Sequence, residues 1–308
     1  MKRKRPSAAV IRKNIWKNRD MYLMIFPVTV YYLIIHYWAM GWLAISFYDY
    51  KLLKGFAGSK FVGLQNFEKF VTGLNFGTVI VNTLLLNFYT LIFFFPMPII
   101  FALLLNEIKS TKYKKFVQTV SYMPHFLSAV VVVSILNVVL SPSVGFVNGF
   151  LKTLGMDSVY FMGDAKYFRG VYVMSSIWQE TGWSAIIYIS ALSGIDQSLY
   201  EAARIDGAGK LSQIWHVSLP GIRETIILLL IMRVGNMVNL TFEKPYLMQN
   251  ALNTSVSEVL STYTYKIGMV RGNYSQATAI GLFSSLVSLI FVLSANYLSS
   301  KVTDTSLF

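Results

Sequence analysis

The 308-residue chain contains no cysteine, which excludes disulfides, zinc–thiolate sites and thiol nucleophiles together. Charge is scarce as well: Asp, Glu, Lys and Arg make up 13% of the residues, about half the ~25% of soluble proteins. The three histidines, His36, His125 and His216, lie in separate segments, and no pair has the spacing of a zinc-protease helix. A phosphate-binding loop is missing too. Gly209-Lys210 is followed by Leu211, and Arg204 stands where the first glycine belongs. Paired carboxylates at helical spacing inside an apolar run are absent, which leaves an intramembrane hydrolase without its parts. These gaps predict a chain that is not an enzyme and holds no metal, ATP site or cofactor of its own.

What the chain has in abundance is apolar surface. Hydrophobic residues reach 55% and aromatics 15%, with a mean hydropathy of +0.52; a chain of this kind has lipid as its main solvent. The net charge is +13. Within the first twenty residues, Lys2, Arg3, Lys4, Arg5, Arg12, Lys13, Lys17 and Arg19 face a single acid, Asp20. A basic segment directly before a long apolar run reads as a cytoplasmic anchor on anionic lipid, not as a nucleic-acid surface.

A membrane-spanning helix needs roughly 20 mostly apolar residues. Six stretches qualify, at about 21–47, 78–105, 118–140, 170–192, 222–240 and 277–298. Pro96 and Pro98 predict kinks in the second. The first is too long for a signal-peptide core and lacks a small-residue cleavage site, so it reads as retained. With the N-terminus inside, inner segments carry 16 Lys and Arg in 72 positions and outer segments 10 in 95. That bias predicts cytoplasmic N- and C-termini. The expected organisation is a basic tail, 1–20, and one all-α membrane domain, 21–308. A short helix carrying Val256, Val259, Leu260 and Tyr263 is expected at the outer surface.

The inner segment 196–220 is the most informative. Asp196 is a helix N-cap candidate, Leu199 to Ile205 a short helix, and Gly207 and Gly209 its turn. A second helical stretch, Lys210 to Val217, stops before Pro220, which starts the next span. The hairpin carries more apolar residues than a solvated loop needs, among them Ala202, Ala203, Ile205, Ala208, Ile214 and Trp215. Two readings stand: a helix pair lying on lipid, or a helix that docks in a partner's groove.

Its residues decide between them. Glu201-Ala202-Ala203, then Gly207, then Val217-Ser218-Leu219-Pro220 resembles the coupling motif of ABC importer permeases, Glu-Ala-Ala, three residues, Gly, nine residues, Ile, one residue, Leu-Pro. Val217 in place of Ile is the one departure. Asp206-Gly207-Ala208 resembles the Asp-Gly-Ala of the sugar-importing branch. Over about residues 70–300 the chain resembles binding-protein-dependent permeases of the maltose-permease type. Tyr122-Met-Pro-His-Phe-Leu-Ser128, Arg233-Val-Gly-Asn236 and Phe242-Glu-Lys244 resemble the subunit of oligosaccharide and polysaccharide importers that has a long basic N-terminus.

The resemblance implies a type I importer fold with six spans in a bacterial cell membrane. It implies a second homologous permease, usually non-identical, two ATPase subunits that bind ATP and Mg, and an extracellular binding protein that delivers a carbohydrate. It assigns ATPase coupling to Glu201, Ala202, Ala203, Asp206, Gly207, Leu219 and Pro220.

Polar side chains within spans are costly and face the protein interior. Arg233, Asn236 and Asn239, at i, i+3 and i+6, share one drifting face of the fifth span. Arg233 and Glu180 reach similar depths near the midplane, so they either pair or flank the sugar path. Asn236 and Asn239 offer donors and acceptors to hydroxyls, or bond between helices. By the same resemblance His125 and Ser128 line the cavity. Trp178 and Trp183 stack on a sugar ring or serve as packing anchors. Competing functions are an ABC permease for a peptide, amino acid or polyamine, and a stand-alone channel or secondary transporter. The identity of the sugar and its length are not encoded in any motif.

Overall fold

The computed structural model describes residues 16–303. A first helix, α1 (Arg19–Phe47), leads into an antiparallel hairpin of β1 (Tyr48–Lys51) and β2 (Gly55–Phe61) and a short α2 (Gln65–Val71). The long α3 (Phe76–Asn106) follows. Then come α4 (Thr111–Tyr122), α5 (Ala129–Val139), α6 (Phe146–Thr153) and α7 (Ala165–Ser193). The hairpin is formed by α8 (Gln197–Ile205) and α9 (210–221). The chain continues through α10 (Arg223–Gly235), α11 (Glu243–Met248), α12 (Thr254–Ser257), α13 (Leu260–Tyr265) and α14 (Tyr274–Thr303).

By length and composition α1, α3 and α14 can cross a membrane, and the α4–α5 pair can do so as one broken span. In α3 the expected kink takes the form of a π-turn, Thr90–Phe94, just before Pro96. Proline supplies no N–H to the turn before it, and widening that turn relieves the ring's clash.

Two expected spans differ in shape. Residues 118–140 are not one helix: a 3₁₀ turn at Met123–Phe126 ends the first part, and the two halves meet at 100°. Pro124 withholds a helical donor, Leu127 and Ser128 are extended, and the Ser128 hydroxyl caps α5 by accepting from Val131 N–H at 3.4 Å. The fifth expected span stops early, at Gly235, so α10 has 13 residues and is about 20 Å long. Residues 236–242 then turn toward α11.

Segments expected on the same side of the membrane do meet. Lys210, at the start of α9, forms an ion pair with Glu107 at the end of α3. On the opposite face Tyr50 N–H donates to Ser275 Oγ at 2.8 Å, and Asn250 Nδ2 donates to the Met162 carbonyl at 2.7 Å. The surface helix expected to carry Val256, Val259, Leu260 and Tyr263 is instead two pieces, α12 and α13, broken at Glu258 and Val259. Val259 and Leu260 are buried among α3, α7 and α14 residues, because their apolar side chains complete two of the core clusters and do not rest on lipid.

Lipid tails are as apolar as leucine, so close packing and internal hydrogen bonds hold such a bundle together. Asn82 shows both. Its amide donates to the Ser255 and Glu258 carbonyls at 2.9 and 3.2 Å and accepts from Arg169 at 2.9 Å. Asn87 donates to the Met237 carbonyl at 2.8 Å. On α7, a Cβ added at Gly182 would stand 2.2 Å from the Ser121 carbonyl oxygen. Glycine there is what lets α4 lie against α7. A third cluster, Ala102, Leu103, Ala185, Tyr188, Leu192 and Ile222, joins α3, α7 and the base of α10.

Candidate functional site: a charged cavity above a protruding hairpin

A cavity of about 870 Å³ opens where α3, α5, α7 and α10 converge on residues 241–244, where the chain enters α11. The polar side of its wall is Ser176, Gln179, Glu180 and Ser184 of α7, with Arg233 of α10 and Thr241, Glu243 and Lys244 beyond it. Phe94, Leu127, Tyr172 and Phe242 supply the largest of the remaining side chains. The early end of α10 builds this wall: the chain leaves the helix after Gly235, and the turn that follows carries Lys244 back to α7.

Lys244 is 7% exposed. Its ammonium donates to Ser176 Oγ at 3.0 Å and Gln179 Oε1 at 3.5 Å and lies 5.4 Å from the Tyr172 ring centre. Arg233 places its guanidinium 5.8 Å from the Phe94 ring. Of the two readings of Glu180 and Arg233, pairing or flanking one path, the structure shows no ion pair between them and both on the cavity wall. Glu180 Oε2 is instead 2.7 Å from His125 Nδ1, and the His125 ring stacks on Trp183 at 4.5 Å with 3° between the planes. The bend after α4 brings His125 to Glu180, and depth along the helices gave no sign of it.

The structure distributes the expected substrate residues unevenly. Glu180, Arg233 and Ser128 line the cavity. His125 holds Glu180 from outside it, and Trp183 stacks on His125 and lines a neighbouring cavity with Arg233. Trp178 lines a separate apolar cavity of about 800 Å³ with Leu136 and Met174. Asn239 is used between helices: its amide donates to Ser288 Oγ at 3.0 Å and accepts from Ser284 at 2.8 Å, both on α14. Asn236 turns back on its own helix, to the Met232 carbonyl. Sequence reasoning passed over Lys244, Gln179 and Tyr172 as site residues. The one signal was Lys244 itself, a cation just beyond an apolar run. Among the described residues, no group of three or more His, Cys, Asp or Glu could hold a metal ion.

The hairpin stands at the other end of α7. Asp196 caps α8, its carboxylate accepting from Ser198 N–H at 2.9 Å; that bond holds the Asp196 carboxyl below its ordinary range. Gly207 turns the chain at φ +79°, a region an L side chain enters only at a cost. Ala208 N–H then closes the helix end on the Ala203 carbonyl at 2.8 Å. Gln213 donates to the Ala208 carbonyl, and the Tyr200 and Ser218 hydroxyls meet in a buried hydrogen bond at 2.9 Å. The second limb does not stop before Pro220: it continues through a π-turn, Ile214–Ser218, and ends at Gly221. Leu219 and Ile214 pack on the third core cluster. The outer edge is different. Glu201, Ala202, Asp206 and Gly207 are exposed, and Ile205, Leu211 and Trp215 are 87, 74 and 67% exposed. A rigid root with an apolar tip is the form of a docking element.

A lipid-embedded helical bundle, a polar cavity inside it and a protruding helical hairpin define a membrane transport subunit. The chain belongs to the binding-protein-dependent transport system inner membrane component family, whose model matches residues 69–304. It is 43% identical over 300 residues to the Bacillus subtilis (strain 168) protein LplB, covering 97% of this chain and 93% of that one. It is 42% identical over 292 residues to the polygalacturonan/rhamnogalacturonan transport system permease protein YteP of the same organism, covering 95% and 91%. Among solved structures it matches a chain of a bacterial ABC transporter involved in the import of the acidic polysaccharide alginate. The TM-score is 0.87 at 37% identity, over 95% of this chain and 99% of that one. The alginate transporter in complex with alginate pentasaccharide-bound periplasmic protein matches with the same TM-score and identity.

Proposed function

We propose that this permease forms one half of the route by which an oligosaccharide enters a bacterial cell, with the 870 Å³ cavity as its share of the sugar site. A second homologous, usually non-identical permease faces it. An extracellular binding protein hands over the sugar. Two ATPase subunits, which bind ATP and Mg, sit beneath and receive the hairpin. In this reading six spans cross the membrane, both termini lie inside, and the hairpin is cytoplasmic; the excess of Lys and Arg in the inner segments supports it. YteP and the alginate importer support a carbohydrate cargo.

The observation that carries the reading is the contrast within the hairpin. The Tyr200–Ser218 bond ties its two limbs together and Leu219 and Ile214 pack its root on the bundle, while its tip presents Ile205 and Leu211 to the surroundings. A push on the tip is therefore a push on α7 and α10, the two helices that carry Glu180 and Arg233. ATP drives transport only by favouring one permease state over the other. Moving a population from 1:99 to 99:1 takes about 5.5 kcal/mol of differential binding, which ATPase closure on the two hairpins supplies in this scheme.

The test is ATP-driven sugar uptake by the reconstituted importer. Glu201→Ala and Gly207→Asp are expected to abolish uptake while the subunit still inserts and the ATPases remain bound or active. Undiminished uptake in both variants, or uptake by this subunit without any ATPase, points instead to a channel or secondary transporter.

A further inference from the structure

Arg233 and Lys244 are two cations on one cavity wall, and among the described residues neither has a carboxylate within 4.0 Å. Within a bundle, an uncompensated charge is expensive, and structural cations there are normally paired. The acids nearby do not do this. Glu180 is held by His125 at 2.7 Å and acts on Lys244 only from beyond ion-pair distance. Glu243 lies exposed on the wall beside Lys244. Lys244 is supported by neutral partners, Ser176 and Gln179, and by the Tyr172 ring; Arg233 faces the Phe94 ring. Neutral oxygens and aromatic faces hold a cation in place without cancelling its charge.

We propose that Arg233 and Lys244 read the carboxylates of an acidic oligosaccharide, a chain of uronate-type sugars, as it passes through the cavity. This rests on the sugar-permease reading above. A guanidinium fork matches a carboxylate in two parallel hydrogen bonds, and an ammonium supplies a point charge to a second one. Tyr172, Phe94 and Phe242 line the same cavity, and Ser184 and Thr241 on its wall add hydroxyls for the sugar. The volume lies at the upper end of the roughly 300–1,000 Å³ of ordinary ligand sites, which suits more than one sugar ring.

The test is calorimetric binding to the whole importer, held in lipid nanodiscs, of trigalacturonate and of the same trisaccharide with its carboxyls reduced to alcohols. The acidic sugar is expected to bind about tenfold tighter at low salt. In Arg233→Gln and Lys244→Gln that preference is expected to fall to about twofold, while Arg233→Lys, which keeps the charge but loses the fork, falls between the wild type and Arg233→Gln. Equal binding of the two sugars by the wild type, a result that needs no variant, overturns the proposal and leaves the sugar reading standing. So does an equal loss of both sugars in the Gln variants. Binding of neither sugar by the wild type overturns the sugar reading itself.

Discussion

The hydroxyls of Tyr200 and Ser218 share a buried hydrogen bond, 2.9 Å long, across the base of the hairpin. The bond joins the helix that bears the Glu-Ala-Ala sequence to the limb that leads into α10. Tyr200→Phe leaves the Ser218 hydroxyl unpaired and buried, at a cost of about 1–3 kcal/mol. The expected result is a lowered thermal midpoint and sugar uptake several-fold down, with ATP hydrolysis less affected. Ser218→Ala gives a similar loss. The double variant is expected to lose little more than either single one, because both remove the same bond.

Gly182 tests the packing of α4 on α7. Alanine there places a Cβ 2.2 Å from the Ser121 carbonyl oxygen, and backbone cannot yield as a side-chain tip would. Overpacking of this kind costs about 1–3 kcal/mol. Gly182→Ala is therefore expected to lower the thermal midpoint in detergent, while Gly170→Ala, with nothing within 4 Å of the added Cβ, leaves it unchanged or raises it. Equal behaviour of the two variants contradicts the close approach.

Asp196 gives the hairpin a pH dependence. Its folded pKa is depressed by the Ser198 N–H bond, so its stabilising effect is present above the ordinary value of 3.8 and is lost as pH falls through the folded value. Hydrogen exchange of residues 197–205 is expected to quicken at pH below about 4 relative to the intrinsic rate. Asp196→Asn, which can still cap, removes that pH dependence. An unchanged profile in Asp196→Asn contradicts the assignment.

Local signals were legible and long-range ones were not. Asp196 as a cap, the helix ending at Ile205 and the turn at Gly207 all follow from side-chain chemistry within a few residues, and each stands where expected. The membrane-scale apolar runs of α1, α3 and α14 were equally plain. Glu180 and Arg233 show the limit. Their depths along the helices could be counted, but their directions around the helix axes depend on how α4 bends after Tyr122 and where α10 ends. Those two breaks delivered His125 to Glu180 and brought Lys244 to the wall that Arg233 lines. Asn239 takes the other of its two readings, a bond between helices, for the same reason: α14 lies beside it.

The central claim is that the hairpin tip is seated in an ATPase subunit. Because the chain has no cysteine, Ala202→Cys creates the sole thiol in this subunit, at an exposed position of α8. A short bifunctional thiol reagent, applied to the assembled importer whose ATPase carries one engineered thiol in its docking groove, reads the contact directly. The account predicts a covalent permease–ATPase product that forms in membranes and changes in yield when ATP is added. An Ala202→Cys thiol that never joins the ATPase, and is reached only by lipid-soluble reagents or from the outer face of the membrane, contradicts it.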